Sequence, residues 1–171
     1  MYRILPPRLI VATACIAIVD IYFLRWLLPP AFAIDLWVIL LIFYYLYHNE
    51  RRALIFSLWV GFFADLLGRG IFGVAILSMW ISSLILIRFA SMINREKAYV
   101  QMVTGFLMCV SVLSIELFLT CLIRGKWIWL SHFSPWILTS AFTTAIATPF
   151  ILKLMEKFLG VHPRQYELFP R

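Results

Sequence analysis

Charged residues are scarce in this chain of 171 residues, of which 13% are charged and 64% are hydrophobic. Soluble domains carry roughly 25% charged and 45–50% apolar residues, so a soluble globule of this length could not cover its apolar surface. The same apolar content excludes intrinsic disorder. A membrane-spanning helix needs about 20 residues, and six of them would take roughly 120. The composition therefore predicts an integral membrane protein with short loops and no soluble domain.

Catalytic and metal-binding signatures are also missing. The three cysteines lie inside apolar runs without metal or disulfide spacing, and the three histidines lie in predicted loops or the tail. The motifs H-E-x-x-H and G-x-S-x-G and glycine-rich phosphate loops are absent. The net charge of +7 comes from cations scattered between apolar runs, unlike the basic patch of a nucleic-acid-binding protein. We therefore expect no enzyme activity, no cofactor, no metal and no nucleic-acid partner.

The apolar runs predict an all-α protein with six transmembrane helices in a single membrane domain covering residues 1–171. The first run is too long for a signal peptide and lacks a cleavage site, so we expect it to be retained. Pro135 suits the first turn of the last span, and Pro149 predicts a kink within it. A Trp-rich connection is expected over Trp127–Phe133, before that span. The predicted spans are about 9–28, 32–47, 53–67, 71–90, 99–123 and 135–155.

The second and third spans are short for this role. They would reach only about 22–24 Å, against a hydrocarbon core of about 30 Å, so five spans with one re-entrant segment remain an alternative. The cations favour six spans with both termini in the cytoplasm, because cytoplasmic loops are rich in Lys and Arg. Of the 15 Lys and Arg, 11 would then lie inside. The four outside are Arg25, Arg69, Arg124 and Lys126. Trp26, Trp37, Trp127 and Trp129 would lie near the outer interface as an aromatic belt.

Small and polar residues recur at spacings of three and four in four of the spans, which places each set on one helix face. Helices in lipid associate through such faces. The sets, in span order, are Thr13, Ala17 and Asp20; Ser57, Gly61, Asp65 and Gly68; Gly105, Cys109, Glu116 and Thr120; and Thr139, Thr143 and Ala147.

The three acids of these faces, Asp20, Asp65 and Glu116, would all lie in the outer half of the membrane. An arginine follows each acid and could pair with it: Arg25, Arg69 and Arg124. A charge at mid-bilayer costs about 2.5–3.5 kcal/mol on insertion scales, so these acids should face the bundle and not lipid. Three interpretations stay open: a structural cluster that holds helices together, a cluster that binds a partner or ligand, and a proton relay.

The third and fourth spans carry a more specific pattern. Gly61 is followed four residues later by Asp65-Leu66, then by the turn Gly68-Arg69-Gly70, and Gly73-Val74-Ala75 opens the next span. This pattern resembles the rod shape-determining protein family MreD. Asp35-Leu36-Trp37 also resembles the start of that family's second span, although Ile34 replaces the family's usual proline.

The resemblance implies a non-enzymatic scaffold or regulator of the bacterial cell-elongation complex in the inner membrane, which helps to organise side-wall peptidoglycan synthesis and rod shape. The implied partner is MreC, a single-span protein, with indirect links to MreB, RodA and a class B penicillin-binding transpeptidase. Membrane lipid surrounds such a protein. We expect the partner-binding or structural polar cluster to comprise Asp20, Gly61, Asp65, Gly68, Gly73 and Glu116.

A second hypothesis comes from the size and helix number that MreD shares with the S components of energy-coupling-factor micronutrient transporters. We therefore expect an S-component-like bundle. An S component would bind a vitamin in an outward-facing pocket, which the three acids could line. S components usually carry Ala-x-x-x-Ala on the first span, whereas Ala12, Ala14 and Ala17 are not four residues apart here.

Overall fold

The computed structural model describes residues 34–47, 50–67, 71–90, 97–125 and 129–159, together with the helical residues Thr13 and Ile18. The first predicted span lies outside these ranges apart from those two residues. The other predicted spans correspond in order to five helices. These are α1 (Leu36–Tyr47), α2 (Glu50–Leu66), α3 (Val74–Ala90), α4 (Ala98–Arg124) and α5 (Trp129–Leu159).

Two of the helices begin several residues earlier than the predicted spans. Helix α2 already begins at Glu50, because Glu and Arg are good helix formers and extend it towards α1. Helix α5 begins at Trp129, so most of the expected Trp-rich connection is helical. Pro135 consequently lies inside α5 and not in its first turn. A proline ring removes one backbone hydrogen bond, and here the helix continues past it.

Helix α1 forms the centre of the packed structure. Every side chain from Leu36 to Tyr45 is buried, and the helix contacts α2, α4 and α5. A helix that is apolar on all sides is expected in such a position. Its 12 residues measure roughly 18 Å, well short of the hydrocarbon core. Trp37 is 2% exposed, so it packs inside the protein and does not join an exposed aromatic belt.

Two antiparallel pairs, α2 with α3 and α4 with α5, make the most extensive helix contacts. Tyr44 stacks on Phe56 with ring centroids 4.0 Å apart and thereby joins α1 to the first pair. Helix α4 and the segment Pro135–Phe158 of α5 are long and apolar enough to cross a membrane. Large apolar side chains are exposed on the outer faces of these pairs, as expected for an all-α membrane protein.

Candidate functional site

Helix α2 packs closely against α3 at Gly61. A Cβ atom added to Gly61 would lie 2.6 Å from the Cα atom of Ile76 and 3.0 Å from the carbonyl oxygen of Ala75. Only a residue without a side chain therefore allows the two backbones to meet here. Since the face of α2 that carries Gly61 is occupied by α3, its immediate neighbour is another helix of the same chain.

Asp65 lies one helical turn beyond Gly61 and caps the start of α3. Its Oδ2 accepts hydrogen bonds from the backbone N–H groups of Gly73 (2.9 Å) and Ile76 (3.1 Å). Its Oδ1 accepts one from Ala75 at 3.2 Å. The first N–H groups of a helix have no partner within the helix, and the helix dipole favours a negative charge there. The carboxylate of one helix thus completes the end of the next, and it is 6% exposed.

The chain between the two helices needs a glycine at one point. Gly73 has a φ of +95°, a conformation that L residues with a side chain rarely adopt. This φ turns the backbone so that the N–H of Gly73 points at Asp65 just before α3 begins. We call the unit formed by α2, α3, Gly61, Asp65 and Gly73 the capped hairpin.

Glu116 of α4 lies beside the same end of α3. The Ser78 hydroxyl donates to the backbone oxygen of Ala75 at 3.0 Å and lies 3.4 Å from Oε1 of Glu116. Ala75 is also the residue whose N–H group bonds Asp65. The structure therefore brings two of the three predicted acids to the first turns of α3, where each has polar contacts within the protein.

A second aspartate cap was not among the predicted site residues. Oδ1 of Asp35 accepts hydrogen bonds from the N–H groups of Trp37 (3.1 Å) and Val38 (3.2 Å), which cap α1. The backbone N–H of Asp35 donates to Oγ1 of Thr144 in α5 at 3.0 Å. The signal was present in the sequence, since an aspartate directly before an apolar run is typical of a helix N-cap.

The pairing of α4 with α5 also depends on small residues. A Cβ atom on Gly105 would collide with Oγ1 of Thr148 and lie 3.2 Å from its Cβ atom. Thr144, one turn earlier, lies 3.8 Å from Sγ of Cys109. The buried face of α5 therefore contains Thr144 and Thr148, whereas the expected Thr139 is exposed. The predicted set of residues is displaced by one residue from the buried set. Two sets of small residues with the same spacing lie next to each other on this helix, so spacing alone did not distinguish them.

The remaining predicted residues are less informative. Asp20, Arg25, Gly68 and Arg69 lie outside the described residues. Arg124 is the exposed last residue of α4, and Gly125 follows it in a left-handed conformation with a φ of 64°. The expected pairing of each acid with an arginine stays a prediction. Within the described ranges, no group of three or more His, Cys, Asp or Glu side chains could hold a metal ion.

The chemistry available to the capped hairpin follows from these contacts. Both carboxylate oxygens of Asp65 accept backbone hydrogen bonds from α3, so this side chain fixes the geometry of two helices. The geometry is therefore that of a rigid structural unit.

Two buried serines of α3 give a direct prediction about packing. Ser78 and Ser82 are both fully buried, but the hydroxyl of Ser82 has no hydrogen-bond partner among the residues that the structure describes. A buried polar group without a partner costs about 1–3 kcal/mol. We expect Ser82→Ala to leave the melting temperature of the detergent-purified protein unchanged or raise it by a few degrees. Ser78→Ala, one turn away, should lower it, and the opposite order would contradict the assigned contacts.

Comparison with known proteins identifies a family. The family model described as "rod shape-determining protein MreD" matches residues 2–158, nearly the whole chain. No curated protein and no solved structure matches the chain.

Proposed function

Because the chain belongs to the MreD family of rod shape-determining proteins, we propose that it is a non-enzymatic scaffold of the cell-elongation complex. In this role it binds an MreC-like single-span protein in the inner membrane. Through that partner it is linked to MreB, RodA and a class B penicillin-binding transpeptidase, and it helps to organise side-wall peptidoglycan synthesis.

The family match carries this proposal, because it covers almost the entire chain and not a single motif. The capped hairpin agrees with a scaffold role. Its glycine and aspartate hold α2 and α3 in one fixed relation, and a scaffold needs fixed surfaces and no reactive group. Gly61, Asp65 and Gly73 act in the proposal by fixing the shape of the surface that a partner meets.

The multi-pass topology, with both termini in the cytoplasm, belongs to the same proposal. Helices without a hydrophobic driving force between them associate through close packing and polar contacts, and a single-span partner would be held in the same way. A partner helix packs most closely where small residues are exposed, so the outer faces of the two helix pairs are available for that contact wherever large side chains do not line them.

The test is a detergent pull-down of the tagged chain from its own cells, with mass spectrometry of proteins and small molecules. We expect recovery of an MreC-like single-span protein together with cell-wall synthases. A tagged membrane protein of similar size is the control for nonspecific capture. Recovery of an ATPase coupling module with a vitamin would contradict the scaffold proposal and support a transporter subunit.

A depletion experiment tests the same role in cells. Loss of a scaffold for side-wall synthesis should make cells wider and rounder, and expression of the intact chain should restore their width. Normal width after depletion would contradict the proposed function. Cell width is the appropriate measurement because growth rate alone also responds to general membrane damage.

A further inference from the structure

An apolar groove runs between α3 and α4, away from the capped hairpin. Its volume is about 450 Å³, within the range of about 300–1,000 Å³ that is usual for small-molecule sites. Along α4 it extends from Tyr99 to Ser111, roughly 18 Å at the rise of an α-helix. Ile85 and Leu86 of α3 form part of the opposite wall. The groove is therefore elongated along the axis of α4.

The interior of this groove is suited to an apolar ligand. The hydroxyl of Thr104 donates to the backbone oxygen of Val100 at 2.8 Å, and that of Ser111 donates to the backbone oxygen of Met108 at 2.9 Å. Two of the three hydroxyl groups in the wall, those of Thr104 and Ser111, are thus satisfied within α4, and the third belongs to Tyr99. Val103 and Leu107, also in the wall, are more than half exposed. An occupant would contact mainly hydrocarbon.

One end of the groove is cationic. Arg88 is exposed in the last turn of α3, three residues beyond Ile85 and therefore on the same side of that helix. Lys97 directly precedes α4, and its Nζ atom lies 5.8 Å from the ring centroid of Tyr99, a residue of the groove wall. The two positive charges thus lie at the end where α3 finishes and α4 begins.

We propose that this groove binds one acyl chain of an anionic phospholipid, whose phosphate is held by Arg88 and Lys97. A long apolar channel with cations at one end complements a molecule that has a hydrocarbon chain and a negative head. Basic pockets between membrane helices on the cytoplasmic side are known to hold anionic head groups. The predicted topology places this end on the cytoplasmic side, so the lipid would come from the inner leaflet.

The groove and its cations favour lipid over a partner helix. A transmembrane helix docks where small residues let backbones approach, whereas this wall consists mainly of Ile, Leu, Val and Met side chains. Positive charges at the mouth add nothing to the binding of an apolar helix. They do add to the binding of a phosphate.

The test uses native mass spectrometry of the full chain in detergent, titrated with phosphatidylglycerol or phosphatidylcholine of the same chain length. We expect phosphatidylglycerol to bind about 30-fold more tightly, since each of the two cations contributes about 1 kcal/mol near a membrane surface and tenfold in affinity corresponds to about 1.4 kcal/mol. The double variant Arg88→Gln/Lys97→Gln should lose this preference. Leu107→Trp, which fills the groove, should weaken the binding of both lipids.

Matched control variants distinguish an effect of the groove from the effects of surface charge and of misfolding. Lys153→Gln/Lys157→Gln removes two exposed cations from α5, and Leu122→Trp enlarges an exposed side chain elsewhere on α4. Both controls should bind lipid as the unmodified chain does. Melting temperature, measured on each variant, identifies any that fail to fold.

Four results would overturn the proposal. Equal affinities for phosphatidylglycerol and phosphatidylcholine would show that Arg88 and Lys97 do not select the lipid. An equal loss in the α5 control would show that any surface charge suffices. If Leu107→Trp leaves lipid binding unchanged but abolishes co-purification of a single-span protein, the groove belongs to a protein helix. Binding of glycerol phosphate as tight as that of the lipid would likewise overturn the role of the acyl chain.

Discussion

Replacing Asp65 by leucine is expected to cause the largest loss of stability in the capped hairpin. The substitution removes the acceptor of three backbone N–H groups, on Gly73, Ala75 and Ile76. The bond from Ala75 is buried and the other two are partly buried, and a buried group left without a partner costs about 1–3 kcal/mol. The loss should therefore reach roughly 3 kcal/mol or more, a large part of a typical folding free energy of about 5–15 kcal/mol.

The measurement is thermal unfolding of the purified protein, followed by size-exclusion chromatography. For a chain of this length, 1 kcal/mol corresponds to roughly 2–4 °C, so we expect the melting temperature to fall by about 6 °C or more. Asp65→Asn keeps one acceptor oxygen and should give an intermediate value. Glu96→Leu removes a carboxylate from the predicted loop between the fourth and fifth spans and should have little effect. Equal losses in Asp65→Leu and Glu96→Leu would show that the cap contributes nothing.

The same variants separate structure from function in cells. When Asp65→Leu is produced at a low temperature that preserves its folded fraction, a scaffold that depends on hairpin shape should still lose part of its ability to restore cell width. Full restoration of cell width would show that Asp65 contributes to the stability of the protein and not to its function in the complex. Reduced restoration at equal folded amounts would place the hairpin at the partner contact.

The order of the helices was predictable because each helix is a run of apolar residues bounded by polar residues, glycine or proline. Both features can be recognised locally in the sequence. Periodicity also identified Gly61, Asp65 and Glu116 as inward-facing, since small and acidic residues in an apolar helix are costly against lipid. The backbone partners of Asp65 in α3 were not predictable in the same way, because spacing along one helix does not report contacts with the next. The pairing with Arg69, four residues on, stays a prediction, since Arg69 lies outside the described residues.

What remained hidden depended on tertiary contacts. The central position of α1 follows from three neighbouring helices, and its sequence alone did not distinguish burial in protein from burial in lipid. The contact between Asp35 and Thr144 joins residues far apart in the chain, and no periodicity reports it. The groove between α3 and α4 likewise depends on how two helices pack, which the sequence of either helix does not report.

Replacing Gly61 by alanine is expected to be the second large effect, for a different physical reason. The added methyl carbon would lie 2.6 Å from the backbone Cα of Ile76, so one helix must move as a whole. Overpacking a well-packed contact costs about 1–3 kcal/mol, and a clash with backbone belongs at the upper end of that range. This cost outweighs the gain of up to about 1 kcal/mol that Gly→Ala usually brings to a helix. The melting temperature should fall by roughly 4–8 °C.

Gly105→Ala is the matched comparison, because it adds the same methyl group to another buried helix contact. There the atoms met first belong to the side chain of Thr148, which can rotate at the expense of its hydrogen bond to the backbone oxygen of Thr144. We therefore expect a smaller loss than at Gly61, and Thr148→Ala should rescue part of it. A loss at Gly105 equal to or greater than that at Gly61 would mean that the backbone contact at Gly61 is no harder to relieve than the side-chain contact at Gly105. In a pull-down, Gly61→Leu should weaken capture of the single-span partner, whereas an intact complex would show that this face of α2 does not shape the partner surface.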